Sequence, residues 1–201
     1  MRLNTPVSNQ EYLVSESFSL VSVTDLKGRI TYGNAAFVRV SGYSLDELLG
    51  QPHNLIRHPD MPAEAFRDMW ATLESGRPWV GVVKNRRKNG DYYWVKANAI
   101  PIRQNQTGTT VGYLSVRNPP TRAEIQGAEQ LYAVLNAQAE RGAGGITLHQ
   151  GRVVKHGWLA RLTRPLEHIW HGPSALVQLV VTCALMALST VVPLTWLIPL
   201  G

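Results

Sequence analysis

Arg57-His58-Pro59-Asp60-Met61-Pro62 sets a cation, an imidazole and a carboxylate just ahead of a helix. Trp79 follows, and then Lys84-Asn85-Arg86-Arg87-Lys88-Asn89-Gly90-Asp91-Tyr92-Tyr93-Trp94 reads as two aromatic-rich strands around an Asn-Gly turn. A polar mouth beside an aromatic wall is how a planar cofactor would be held. Counting by twos from Trp79 puts Gly81, Val83 and Asn85 on one strand face. Asn85 is then a polar group amid apolar surface and needs a partner. Its amide can donate or accept by rotating.

The elements that must position these residues are legible around them. Phe18 to Thr24 alternates as a strand, Asp25-Leu26-Lys27-Gly28 turns, and Arg29 to Tyr32 returns. Asn34 opens a helical stretch that Ser41-Gly42-Tyr43 breaks. Ser44-Leu45-Asp46-Glu47 is a capping box, as is Thr121-Arg122-Ala123-Glu124. Pro62 suits a helix first turn, and Phe66, Met69, Trp70 and Leu73 follow at helical spacing. Strands are expected at Trp79–Arg86, Tyr92–Ile102 and Val111–Arg117, with Pro119-Pro120 as the close. The helix after Thr121 ends near Gly142, and Ile146 to Trp158 reads as a small hairpin turning at Gln150-Gly151. The expected class is α+β: a five-stranded antiparallel sheet, flanked by helices that close its concave face. The expected divisions are an N-terminal cap (1–17), a sensor domain (18–119), a helical and hairpin linker with a basic juxtamembrane region (120–171) and an apolar segment (173–200).

No charged residue occurs from Gly172 to Gly201 in this chain of 201 residues. Ala175–Leu200 is long enough for one tilted membrane-spanning helix but short of the roughly 40 residues that two full spans need, which leaves a tight hairpin broken at Pro193 as the alternative. Arg152, Lys155, Arg161 and Arg164 precede it, which orients the domain to the cytoplasm and favours anionic lipid. The net charge of +6 follows this flank, and no nucleic-acid-reading motif accompanies it. The single cysteine, Cys183, lies in the apolar segment, so neither a disulfide within the chain nor a cysteine metal site is expected.

Several of these stretches together resemble the flavin-binding PAS domain of bacterial aerotaxis receptors. They are Thr24-Asp25-Leu26, Asn34-Ala35-Ala36-Phe37, Val40-Ser41-Gly42-Tyr43, Gly50-Gln51-Pro52-His53-Asn54, Arg57 to Pro62, Met69-Trp70, Lys84 to Asp91 and Tyr93-Trp94-Val95. The resemblance implies a PAS fold, noncovalent FAD and redox sensing without catalysis. It implies that Arg57 and His58 meet the diphosphate and ribitol, and that Asp60 bonds ribose hydroxyls or orients Arg57. Trp79 would cover a ring face, with Phe66 and Trp70 as wall. Asn85, helped by Asn34 and Asn98, would meet the ring edge. His53 and Asn54 are explained as well by a turn as by a ligand. With Cys183 so placed, the flavin–cysteinyl photochemistry of blue-light PAS domains is excluded.

The resemblance also implies a bacterial inner-membrane location, with output through a chemotaxis receptor or kinase system. Receptors of this family continue past the membrane into a signalling bundle, so a sequence that ends at Gly201 is expected either to need a partner protein for that output or to be a fragment of a longer receptor. A homodimer is a further expectation. Three rival readings stand beside this one. A cofactor-free PAS domain would act by dimerising, and a haem PAS sensor would use His53 or His58 as axial ligand. A flavin oxidoreductase is disfavoured because no GxGxxG fingerprint is present.

Overall fold

The computed structural model describes residues 4–142 and 145–155. Five strands, β1 (Leu20–Thr24), β2 (Ile30–Gly33), β3 (Trp79–Arg86), β4 (Tyr92–Arg103) and β5 (Thr110–Asn118), form one antiparallel sheet. Its order is β2-β1-β5-β4-β3, so the first hairpin lies beside the last strand and β3 is an edge. The loop between β2 and β3 carries α1 (Ala35–Ser41), α2 (Leu45–Leu48), a single 3₁₀ turn (His53–Ile56) and α3 (Ala63–Glu74). α4 (Arg122–Arg141) follows the sheet, and a separate two-stranded hairpin, β6 (Ile146–His149) and β7 (Arg152–Lys155), comes last.

Local chemistry accounts for the helix ends. Asn34 caps α1 by accepting from the Phe37 amide, and Gly42 ends it in the left-handed region. Both capping boxes form, Ser44 with Glu47 and Thr121 with Glu124, and each satisfies two amides that would otherwise lack partners. Gly142 stops α4 at a φ of 63°. The 3₁₀ turn was not expected from the sequence, since four residues behind a proline carry no periodic signal.

The core lies between the sheet and the β2–β3 helices, around Leu20, Ile30, Phe37, Val40, Leu48, Ile56, Leu73, Tyr93 and Val95. The N-terminal segment, expected as a loose cap, is instead tied to β4. Ser8 and Tyr12 donate to the carbonyls of Gly90 and Tyr92, and the Tyr92 amide donates to Gln10. The reason lies in strand lengths. β5 pairs with β4 only from Lys96 onward, so the start of β4 offers an open edge that the N-terminal chain fills.

The hairpin expected over Ile146 to Trp158 packs, in its described part, on α3. The basic stretch beyond Lys155 and the apolar segment 173–200 lie outside the described residues. Among the described residues no helix is long and apolar enough to cross a membrane.

Candidate functional site

A cavity of about 340 Å³ opens between the sheet and the β2–β3 helices. Such a volume lies near the lower end of small-molecule sites. Aromatic and apolar walls come from Phe66, Met69, Trp70 and Leu73 on α3, Trp79 and Val83 on β3, and Tyr113 on β5. Trp70 meets Tyr113 edge to face, with centroids 5.3 Å apart. The Trp79 indole lies flat along β3 because Gly81 has no side chain: a Cβ there would sit 2.4 Å from the ring. The spacing Trp-x-Gly-x-Val-x-Asn thus puts a broad aromatic surface and one amide on the same inner face.

Asn85 is 4% exposed, and its Nδ2 has no hydrogen-bond partner. Arg57 closes the 3₁₀ turn and pairs with Asn85 through the backbone. Its guanidinium lies over the Phe66 ring, 3.5 Å from the centroid. Its Nε and Nη2 are buried and without partners. Burial pushes the Arg57 guanidinium down to about 10, so it stays charged at neutral pH.

Arg117 is the cavity residue that pattern reading missed. It is 5% exposed on β5 and donates from both Nη atoms to Ser22 Oγ, and from Nη2 to His53 Nε2 at 2.8 Å. Burial lowers it to about 10, still charged. Burial first, and then the Arg117 charge, hold His53 well below the usual imidazole range. His53 is therefore neutral, and its Nε2 accepts. Sequence alone makes Arg117 the last residue of the strand expected at Val111–Arg117, with no face assigned. It shares a strand face with the lining residues Tyr113 and Ser115, and its partners come from β1 and the 3₁₀ turn.

Five of the nine candidate residues meet at this cavity: Arg57, Phe66, Trp70, Trp79 and Asn85. The other four do not line it. The Asn34 amide is spent on the backbone, accepting from Val21 and Phe37 and donating to Ser19. Asn98 is exposed, on the opposite sheet face from the lining residues Ala97 and Ala99. His58 is buried, with Nδ1 accepting from the Asp60 amide and its ring edge-on to Tyr92. Burial, and then Lys84, lower His58 to about 4, so its 3.4 Å contact with Asp60 is not an ion pair at neutral pH. Asp60 faces outward and pairs with Lys84 at 2.6 Å. It does not cap α3, whose N-cap Pro62 has no side-chain bond.

The fit to a flavin can be tested on these contacts. Among the described residues, three of the four buried side-chain atoms without partners belong to cavity residues, and all three are donors. Lys27, Arg57 and Arg117 line the cavity, and among the described residues no carboxylate does. The residues therefore suit a planar ligand with hydrogen-bond acceptors and negative charge, which a flavin nucleotide is. A haem is not favoured: His53 is bonded to Arg117, and His58 lies outside the cavity.

Residues 30–117 match the family model described as the PAS fold. The chain is 47% identical over 181 residues to the aerotaxis receptor of Escherichia coli (strain K12), covering 90% of this chain and 34% of that protein. It is 35% identical over 105 residues to the nitrogen fixation regulatory protein of Klebsiella pneumoniae, covering 52% of this chain and 21% of the relative. The chain thus spans about a third or less of the curated relatives it matches. A solved structure titled "Flavin Analogue Sheds Light on Light-Oxygen-Voltage Domain Mechanism" shares the fold, with a TM-score of 0.50 at 24% identity, over 61% of this chain and 88% of that one. Matched family model and observed strand order agree on a PAS domain, whose sheet runs from Leu20 to Asn118 and so begins before the matched residues 30–117, in a chain similar over most of its length to part of an aerotaxis receptor.

Proposed function

We propose that this chain is a sensor that binds FAD noncovalently in the PAS cavity and passes its redox state to a signalling protein. The observation that carries the reading is the set of unpartnered donors on Arg57 and Asn85 in an aromatic cavity that no carboxylate lines among the described residues. Exposure orders the polar groups along the cavity. Lys27 and Asn54 are exposed and Arg57 is partly so, whereas Asn85 and Arg117 are buried. The diphosphate belongs with Arg57 and Lys27, where hydration of the phosphates is retained and a guanidinium can bond two oxygens. The ring belongs inside, between Trp79 and the α3 aromatics, with Asn85 and Arg117 at its polar edges.

A flavin ring supplies an edge nitrogen that accepts a hydrogen bond when oxidised and donates one when reduced. Asn85 answers either state by turning its amide. Arg117 favours whichever state carries more negative charge on the ring. Only a difference in how two protein conformations hold the two states can move the protein.

The similarity to part of an aerotaxis receptor supports redox, oxygen or energy sensing as the input, and a chemotaxis receptor or kinase system as the output. The uncharged segment 173–200 supports a tether in the bacterial cytoplasmic membrane, with the PAS domain inside. An absorption spectrum of the purified chain in detergent, before and after dithionite, tests the cofactor. Flavin bands that bleach are expected, with FAD in the heat-released supernatant by chromatography. A colourless chain that gains no band with added FAD would overturn the reading.

A further inference from the structure

Behind the cavity wall, the buried carboxylate of Asp68 on α3 joins the cavity to the β6–β7 hairpin. Asp68 is 1% exposed and does not itself line the cavity. Its Oδ2 accepts from the Trp79 indole Nε1 at 2.9 Å and from the Gly151 amide at 2.7 Å. Its Oδ1 accepts from the Gln150 amide at 2.6 Å. One oxygen therefore serves both a cavity aromatic and a hairpin turn, and the indole cannot shift without drawing on the turn.

The hairpin depends on this attachment. Among the described residues it pairs only with itself, as a two-stranded sheet, and such a unit is marginal alone. α3 supplies the missing support. Glu64 accepts from the Leu148 amide, Arg67 donates to the Leu148 carbonyl, and the Leu148 side chain is buried. Glu64 and Asp68 are four residues apart and so share a helix face. The turn itself needs left-handed backbone at Gln150 (φ 54°) and Gly151 (φ 75°). A Cβ on Gly151 would also sit 2.5 Å from the Val80 carbonyl on β3, the residue after Trp79.

We infer that Asp68 is a positioning residue that couples the ligand state at Trp79 to docking of the Ile146–Lys155 hairpin, the last described element before the basic and apolar stretches of the sequence. The inference rests on the flavin reading, because Trp79 must touch a ligand whose state changes. Coupling of this kind is reciprocal, so loosening the hairpin must be felt in the cavity.

The test is hydrogen exchange on the full chain in detergent, oxidised and dithionite-reduced, read at the amides of residues 146–153. The flavin-loaded wild type should exchange differently in the two states. D68N keeps the volume but replaces an acceptor oxygen with a donor, and should speed exchange in both states and abolish the difference. G151A lies outside the cavity, yet should raise flavin dissociation by about fivefold, near the lower end of such couplings. Because a Cβ at Gly151 also presses on Val80, the D68N background separates the two routes: unchanged dissociation in G151A, or a G151A effect of the same size in D68N, overturns the coupling. So does a flavin-loaded wild type whose hairpin exchanges alike in both states, or D68N with the full wild-type difference. A wild type without flavin bands fails the site reading, and the coupling with it.

Discussion

Arg57 and Asn85 are paired backbone to backbone across the gap between the 3₁₀ turn and β3, and each carries a buried donor without a partner beside the same cavity. The bridge keeps a cation and an amide from distant parts of the chain at a set spacing, whatever their side chains do. Burying such donors without partners costs about 1–3 kcal/mol each. A bound ligand with acceptors recovers that cost.

Arg57→Ala should weaken flavin retention by about ten- to hundredfold, since hydrogen bonds to a charged group contribute roughly 1.5–3 kcal/mol. Arg57→Lys should recover only part, because a lysine offers a point charge and no fork. Fluorescence titration of the flavin-free protein with FAD measures both. Equal affinity in wild type and Arg57→Ala would remove Arg57 from the site.

Asn85→Ser should keep bound flavin but blunt the difference between oxidised and reduced protein in limited proteolysis. Asn85→Leu should act with opposite sign on the two forms. The flavin-free protein should gain about 1 kcal/mol, because an unpartnered buried amide is gone. The flavin-loaded protein should lose stability. Thermal unfolding with and without FAD separates these effects.

Arg117→Met tests the buried cation. Ser22 Oγ and His53 Nε2 lie 3.1 Å apart and can satisfy each other once the guanidinium is removed. The flavin-free protein should therefore be no less stable, and more stable by about 1 kcal/mol if the uncompensated charge is the larger cost. Bound flavin should become harder to reduce, because the positive charge that favours electron uptake has gone. An equilibrium dye titration checks the midpoint potential, and an unchanged potential would place Arg117 away from the ring.

The pH dependence of stability follows from His58. Burial lowers it from 6.5 to about 4, so the folded state holds it neutral where the unfolded chain takes up a proton. Stability from this group is complete above about pH 6.5 and is lost as pH falls toward 4. His53, also lowered, adds to the same trend. His58→Gln retains an acceptor for the Asp60 amide and should flatten the melting-temperature profile between these limits. A profile identical to that of the wild type would contradict the assignment.

Much of this protein was determined by its sequence alone. Turn glycines, two capping boxes and alternating strands are short-range chemistry, and the five strands, α3, α4 and the Gln150-Gly151 hairpin all stand where that chemistry puts them. Trp79 and Asn85 were legible for the same reason, since strand alternation decides which side chains share a face. What only the tertiary structure decided is which polar groups meet. Asn34 and Asn98 have the right residue type, but one amide is consumed by its own helix cap and the other lies across the sheet. His58 and Asp60 adjoin Arg57 in sequence, yet the turn sends them away from the cavity. Arg117 enters it, and Asp68 reaches both Trp79 and the hairpin, through contacts 11 to 95 residues apart in the chain. Such pairings depend on strand order and helix rotation, and no local pattern records them.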